Sequence, residues 1–344
     1  MMKRSPALFL FAIGLCLTTA TLDSRSQERR PLRWTSTPVG SHGYRVGLAF
    51  AGVARQVLGS DYNVSVAPYT TPAVSMKAAM AGEGEIAFTA DISMSEFRDR
   101  TGNFRDYHPQ RSPLAHTWYA YSVQSMMAVA ARNADRFKCW RDFSGQPVFF
   151  TPINFMNWSN FQRVFKILHY DFNDVPVAPR ANAGALEAGT VVGSVVFTTA
   201  GQELSTYWKE TVLKTDVRVV NPCPDEMAKL EAAGLVIEDV DSKVAFGKDV
   251  GPKTLKGVSI LFGYDARLDV SEDIVYRLTH AFYERRNELA KMEPTLGVMA
   301  SDFVGLQVRG IRANPTVAVH PGMAKFLKEQ GRWDNAWTVG TTGN

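Results

Sequence analysis

Histidine and cysteine are both scarce in this chain of 344 residues, with six and three respectively. Cys16, Cys139 and Cys223 stand far apart, and none has the spacing of a metal site or a CxxC redox pair. His42, His108, His116, His169, His280 and His320 include no i, i+4 pair. A GxSxG elbow, a Walker loop and an HExxH motif are all missing. The sequence therefore nominates no catalytic residue, no metal centre and no cofactor, and an enzyme reading lacks the convergent nucleophile and base it needs. Charge of one sign is also in short supply: 38 basic against 34 acidic residues leave a net charge of +4. With no basic run interleaved with aromatics, a nucleic-acid footprint is excluded. Long apolar runs are missing too. The one at residues 7–17 is too short to span a bilayer as a stable helix.

That short run has a recognisable setting. Lys3 and Arg4 precede it, Thr18 and Ala20 follow, and residues 23–30 are polar. This order predicts a secretory signal peptide over residues 1–20, a mature chain starting near Thr21, and a periplasmic location. Lipidation of Cys16 would require a small residue before it, and Leu15 stands there. About 320 residues remain, enough for two ordinary lobes. In an oxidising compartment Cys139 and Cys223 are either bridged or two buried singletons, and sequence leaves both open.

The mature chain alternates strand-like and helix-like pieces, the pattern of an α/β fold. Strands are expected at 32–36, 62–67, 85–89, 147–151, 192–197 and 217–220. Helices are expected at 44–58, 72–81, 91–97, 158–168, 201–208, 224–233, 269–291 and from His320-Pro321-Gly322 to Gln330. Two long apolar runs, 117–131 and 256–263, suit crossings between compact blocks. They predict one lobe from residues 31–126 plus 258–344 and a second from 127–257, with a hinge and a ligand cleft between them.

Polar loops beyond the C-terminal ends of strands are where such folds bind ligands. Five are present, at 38–44, 70–72, 89–91, 152–159 and 198–201. Each offers backbone N–H groups at a helix start with a short hydroxyl or amide, which suits a carboxylate. The same residues also cap helices, their commonest role. The candidate ligand site takes Ser41, Tyr44, Thr89, Asp91, Asn154, Asn157, Ser159, Thr198 and Thr199 as polar members, with Tyr119 and Trp158 as apolar walls. Asp91 either binds a ligand amino group or caps the next helix; Trp158 either stacks on a flat ligand or packs into its own lobe.

Five segments, TPVGSHGY (37–44), AMAGEGEIAFTAD (79–91), WRDFSGQPVFF (140–150), VVFTTAG (195–201) and PTVAVHPGMAKFLKEQG (315–331), run in order along nearly all the mature chain. Together they resemble the TAXI family, the solute-binding subunits of tripartite ATP-independent periplasmic (TRAP) transporters. The resemblance implies a two-lobed type II periplasmic-binding-protein fold, no catalysis, a small organic anion (carboxylate or amino acid) as ligand, and transporter membrane subunits as partners. Gly40, Ser41, Gly43 and Tyr44 keep the family's first-loop character, and Asp91 alone matches its usual Gln-Ser-Asp triplet. Where the family has a short Gly-Ser-Gly loop, this chain carries Asn154, Phe155, Met156, Asn157, Trp158 and Ser159, so glutamate specificity does not carry over. Receptors for ABC or tricarboxylate transporters share this fold, and sequence physics hardly separates them from the TRAP type.

Overall fold

The computed structural model describes residues 29–153 and 155–342, so the expected leader and Asn154 lie outside the described residues. The chain opens with β1 (Arg30–Ser36), α1 (His42–Leu58), β2 (Tyr62–Pro68), α2 (Pro72–Ala81), β3 (Ile86–Ala90) and α3 (Asp91–Asp99). A long strand β4 (Leu114–Ala130) leads to β5 (Val148–Phe149), α4 (Met156–Leu168), α5 (Asn182–Ala188), β6 (Gly193–Thr199), β7 (Glu203–Leu204) and α6 (Thr206–Lys214). Next come β8 (Val217–Val220), α7 (Pro224–Ala232), β9 (Ile237–Asp241), α8 (Ser242–Phe246) and a second long strand, β10 (Thr254–Arg267). The chain closes with α9 (Glu272–Glu284), α10 (Arg286–Met292), α11 (Gly297–Ser301), α12 (Phe303–Ala313) and α13 (Pro321–Glu329). No helix among the described residues is long and apolar enough to cross a membrane.

Local chemistry explains the first helices. In α1 the buried Val46, Ala49, Phe50, Val53 and Ala54 recur at helical spacing, and Ser41 accepts the Tyr44 N–H at its start. In α2 Thr71 caps, Pro72 takes the first position and Gly82 ends the helix at φ +99°. Two helices depart from expectation. The stretch 201–208 begins as a hairpin instead: Ala200 and Gly201 have φ of 53° and 67°, turning Glu203 and Leu204 back onto Thr199 and Thr198 of β6. The helix expected over 269–291 is broken at Arg285, which adopts φ −96°, ψ 16°.

Among the described residues ten strands form one sheet in the order β2-β1-β3-β10-β4-β6-β5, with β7 on β6, β8 on β4 and β9 on β10. The fold is α/β with two lobes, and the crossings are strands of the sheet rather than free linkers. β4 and β10 run antiparallel from Leu114 opposite Arg267 to Ser125 opposite Val258. A register shift falls between Phe262 and Gly263, where an added Cβ would lie 2.0 Å from the Trp118 carbonyl. Only glycine lets the strands approach so closely there.

The cores part company along these two strands. Residues from Trp118 to Val123 on β4 and from Ile260 on β10 join the largest cluster, in which Trp34 stacks on Trp118 at 5.6 Å and Phe50 on Phe282 at 4.4 Å. From Met126 onward β4 alternates between two further clusters. Met126 and Ala128 join Trp208 and Val196, while Met127 and Val129 join Phe161 and Val195. Both faces of the sheet are covered there, so the whole of β4 is buried.

Cys139 and Cys223 form a disulfide across 84 residues, with Cα atoms 5.2 Å apart. Beside it the fully buried Glu226 accepts the N–H groups of Cys223, Arg141 and Trp140 and the Tyr170 hydroxyl, at 2.6–3.2 Å. A loop of that length is worth about 4–5 kcal/mol in the chain-entropy account. Replacing both cysteines by alanine should lower the urea midpoint accordingly. An unchanged midpoint would mean the bridge contributes nothing.

His320 caps α13 by accepting the Gly322 N–H at Nδ1, and its Nε2 lies 3.0 Å from the Val270 carbonyl, so the proton sits on Nε2. Burial pushes this imidazole down to about 4. The unfolded chain then binds the extra proton first, and stability present above about pH 6.5 is lost as pH falls toward 4, on the order of 3 kcal/mol. His320→Asn keeps a capping acceptor but not the titration. Urea unfolding at about pH 7 and about pH 4.5 should show a shallower acid loss in the variant; an equal loss would assign the acid sensitivity to other groups.

Candidate functional site

The lobes face each other across a seam above the hinge. From the first lobe come the loop before α1 and the start of α3; from the second come the start of α4 and the β6–β7 hairpin. Beneath lies a ladder of rings from three adjacent strands. Phe88 stacks on Phe262 at 5.7 Å and 12°, and Tyr121 on Phe262 at 5.5 Å and 17°. Met156 and Phe197, both from the second lobe, pack against this first-lobe core.

Polar contacts also cross the seam. Ser93 Oγ lies 3.6 Å from Met156 Sδ, and His42 Nε2 lies 3.9 Å from a Glu203 oxygen. The hydrogen bond from Lys209 holds the Glu203 carboxyl below its ordinary range. On its other side His42 meets Arg45 at 2.7 Å and Glu293 at 3.5 Å. Burial pushes the Glu293 carboxyl up, but Arg45 at 2.6 Å and Thr295 outweigh it and leave the group low.

Asp91 makes the deepest of these contacts. At 2% exposure, its carboxylate accepts the Leu261 N–H of β10 at 2.9 Å and faces the Arg163 guanidinium of α4 at 3.3 Å. One side chain thus links the first turn of α3, the hinge strand and the second lobe. Its partners are an amide and a cation inside the protein, which leaves it no role as a helix cap.

The other expected site residues divide. Ser41 and Tyr44 stand at the seam in the first turn of α1, with Ser41 shared between the Tyr44 N–H and Thr37. Thr89 is buried beneath it and donates to Asp265 at 2.8 Å. Burial pushes the Asp265 carboxyl up and the neighbouring His116 imidazole down. Tyr119 is no cleft wall. At 1% exposure its hydroxyl meets His116 at 3.0 Å, and its ring lies over Gly310 of α12, where a Cβ would approach within 2.0 Å. Asn157 donates to Ser125, and Thr198 to Gln124, both at 2.9 Å. Thr199 is buried in the hairpin rather than at a helix start. Trp158 packs into its own lobe, donating to Asp174 at 2.8 Å and meeting Phe172 edge-on. Ser159 lines a groove of about 900 Å³ between the first-lobe helices α3 and α12 and the second-lobe helices α4 and α7, with Arg163 in the same wall.

Sequence reasoning missed the second-lobe residues that do line an open cavity beside the seam. Phe155, Arg180, Phe197 and Ser205 surround a volume of about 590 Å³. It also missed Arg163, one turn after the fully buried Asn160; two polar residues flanking the apolar face of α4 were the available signal. One group of potential metal ligands occurs among the described residues, Cys139, Cys223 and Glu226, and the disulfide takes both sulfurs.

Residues 35–331, most of the chain, match the NMT1-like family. The chain belongs to that family. No curated protein matches this NMT1-like chain. Among solved structures, MatC from Rhodopseudomonas palustris with bound malate is similar at 13% identity and a TM-score of 0.45, over 83% of this chain and 96% of that one. The periplasmic aliphatic sulphonate binding protein SsuA from Escherichia coli is similar at 14% identity and a TM-score of 0.43, over 88% and 90%. Nothing about the ligand of the NMT1-like protein follows from likeness at that level.

The Asp91–Arg163 contact yields a prediction for this NMT1-like protein. Arg163→Gln leaves a buried carboxylate short of its cation and should cost about 1–3 kcal/mol in urea unfolding. Asp91→Asn in the same background should recover part of that loss, a coupling read from the double-mutant cycle. Additive effects would show that the two side chains do not interact.

Proposed function

We propose that this protein is an exported solute receptor of the TAXI type. It holds a small organic anion, a carboxylate or an amino acid, between its lobes and delivers it to the membrane subunits of a TRAP-type transporter. The observation that carries this reading is the hinge. The long strands β4 and β10 run from one hydrophobic core into the other, and side chains of both lobes meet above them. The lobes divide near residues 126 and 258, and rotation there opens or closes the seam while each core stays intact.

Support also comes from how the buried histidines are used. His116 bonds to Tyr119 and the Asn314 carbonyl, and His320 caps a helix, both inward-facing structural roles. The periplasmic location rests on the signal peptide expected from sequence over residues 1–20.

The test is thermal melting of the mature protein with a panel of organic acids and amino acids, followed by recovery of the ligand. A saturable rise in melting temperature with the ligand recovered unchanged is expected. A panel without a hit, or a ligand returned chemically altered, overturns the receptor reading.

A further inference from the structure

The buried contact between Asp91 and Arg163 lies over the point where β10 changes lobes. Val258 belongs to a second-lobe core, while Ile260 and Leu261 belong to the first-lobe core. The Asn160 amide of α4 donates to the Val258 carbonyl at 3.2 Å and to the Ser125 hydroxyl of β4 at 3.4 Å. Its oxygen accepts from Arg163 Nε at 2.9 Å. Arg163 Nη2 meets Asp91 Oδ2 at 3.3 Å, and Asp91 Oδ1 accepts the Leu261 N–H at 2.9 Å. The contacts leave β10 at Val258, pass through α4 and the start of α3, and return to β10 at Leu261. They close a ring around the hinge.

Within that ring, the Asp91–Arg163 link is the one that joins groups of different lobes. Asn160 and Arg163 are carried by α4, whose Phe161, Val164 and Phe165 belong to a second-lobe core. Asp91 begins α3, whose Ile92 belongs to the first-lobe core. Rotation of the lobes about residues 258–261 therefore stretches this link and spares the others. Each partner is oriented from its own side, the carboxylate by Leu261 and the guanidinium by Asn160, so pairing them orders little further. Arg163 also lines the groove of about 900 Å³ between α3 and α4, so it can pass into water as the lobes part.

Two other polar contacts cross the seam, and both are weaker. His42 and Glu203 stand 3.9 Å apart with the Glu203 side chain 53% exposed, where ion pairs contribute little. Ser93 reaches the thioether sulfur of Met156 at 3.6 Å, a poor acceptor. The Asp91 side chain is only 3% exposed, so its attraction to Arg163 is far less screened.

We propose that Asp91 and Arg163 form a latch that biases the lobes toward closure before any solute arrives. Its use rests on the receptor reading, which it deepens. A solute that binds closed lobes finds that state already populated, and the same contact slows its release.

Double electron–electron resonance on the solute-free mature protein tests the latch. Spin labels go on Val39→Cys before α1 and Ile153→Cys before α4, both 70% exposed and outside the ring. The native cysteines are bridged and take no label. Arg163→Gln and Asp91→Asn, the latter keeping an oxygen for Leu261, should each lengthen the distance and lower the closed-to-open ratio about tenfold. The double variant should open no further than either single one, since there is one contact to lose. Unchanged distances, or opening that adds up in the double variant, overturn the latch; if one variant does not fold, the other decides. Unchanged distances in a protein whose melting temperature a solute raises sink the latch and leave the receptor reading standing. Opened variants of a protein for which the panel yields no solute do the reverse.

Discussion

The antiparallel pairing of β4 with β10 holds the molecule together. It is the longest ladder in the sheet, and it passes from the stacked tryptophans of one lobe to the valine and methionine layers of the other. Two hydrogen-bonded strands resist stretching and shear but bend and twist readily, because the ladder bonds lie across the strand direction. The pair therefore fixes which residues meet at the seam while permitting the lobes to rotate. Gly263 is part of this constraint, since its missing Cβ admits the Trp118 carbonyl at the register shift just below Phe262. A side chain there would push apart the strands that carry the aromatic ladder.

Everything at the seam is referred to that pair. Asp91 grips the Leu261 N–H of β10 with one oxygen and Arg163 of α4 with the other, so hinge strand and second lobe share one buried carboxylate. Ser125 of β4 receives Asn157 and Asn160, which ties α4 to the opposite strand. Helix α4 is thereby held at both hinge strands near its N-terminal half, and Met156 is packed against the first-lobe core. Rigid placement of this kind matters for recognition, because affinity is lost when a binding loop must first be ordered.

The second lobe is held by different means. Its bridge between Cys139 and Cys223 and the four donors converging on Glu226 tie the start of α7 to the turn after Lys138. Both devices lie between β4 and β10 in sequence and do not touch either strand's pairing with the other. The covalent restraint thus lies inside one lobe, whereas the lobes are joined by backbone pairing and by the buried Asp91–Arg163 contact.

Much of the architecture was legible in sequence. Thr71, Pro72 and Gly82 delimit α2 because capping and positive φ are local chemistry, and the apolar run 117–131, read as a crossing between blocks, falls largely within the buried strand β4. The two cysteines were visible as a possible pair, but only their 5.2 Å approach joined them. The site was far less legible. Thr198, Asn157 and Asp91 are short polar residues at strand or helix ends, as the search required, yet each is satisfied by a neighbour distant in sequence: Gln124, Ser125 and Arg163. Sequence determines which groups need a hydrogen-bond partner, since that is a property of the side chain. Whether the partner is protein or ligand depends on which strands lie side by side, and tertiary structure alone decided that.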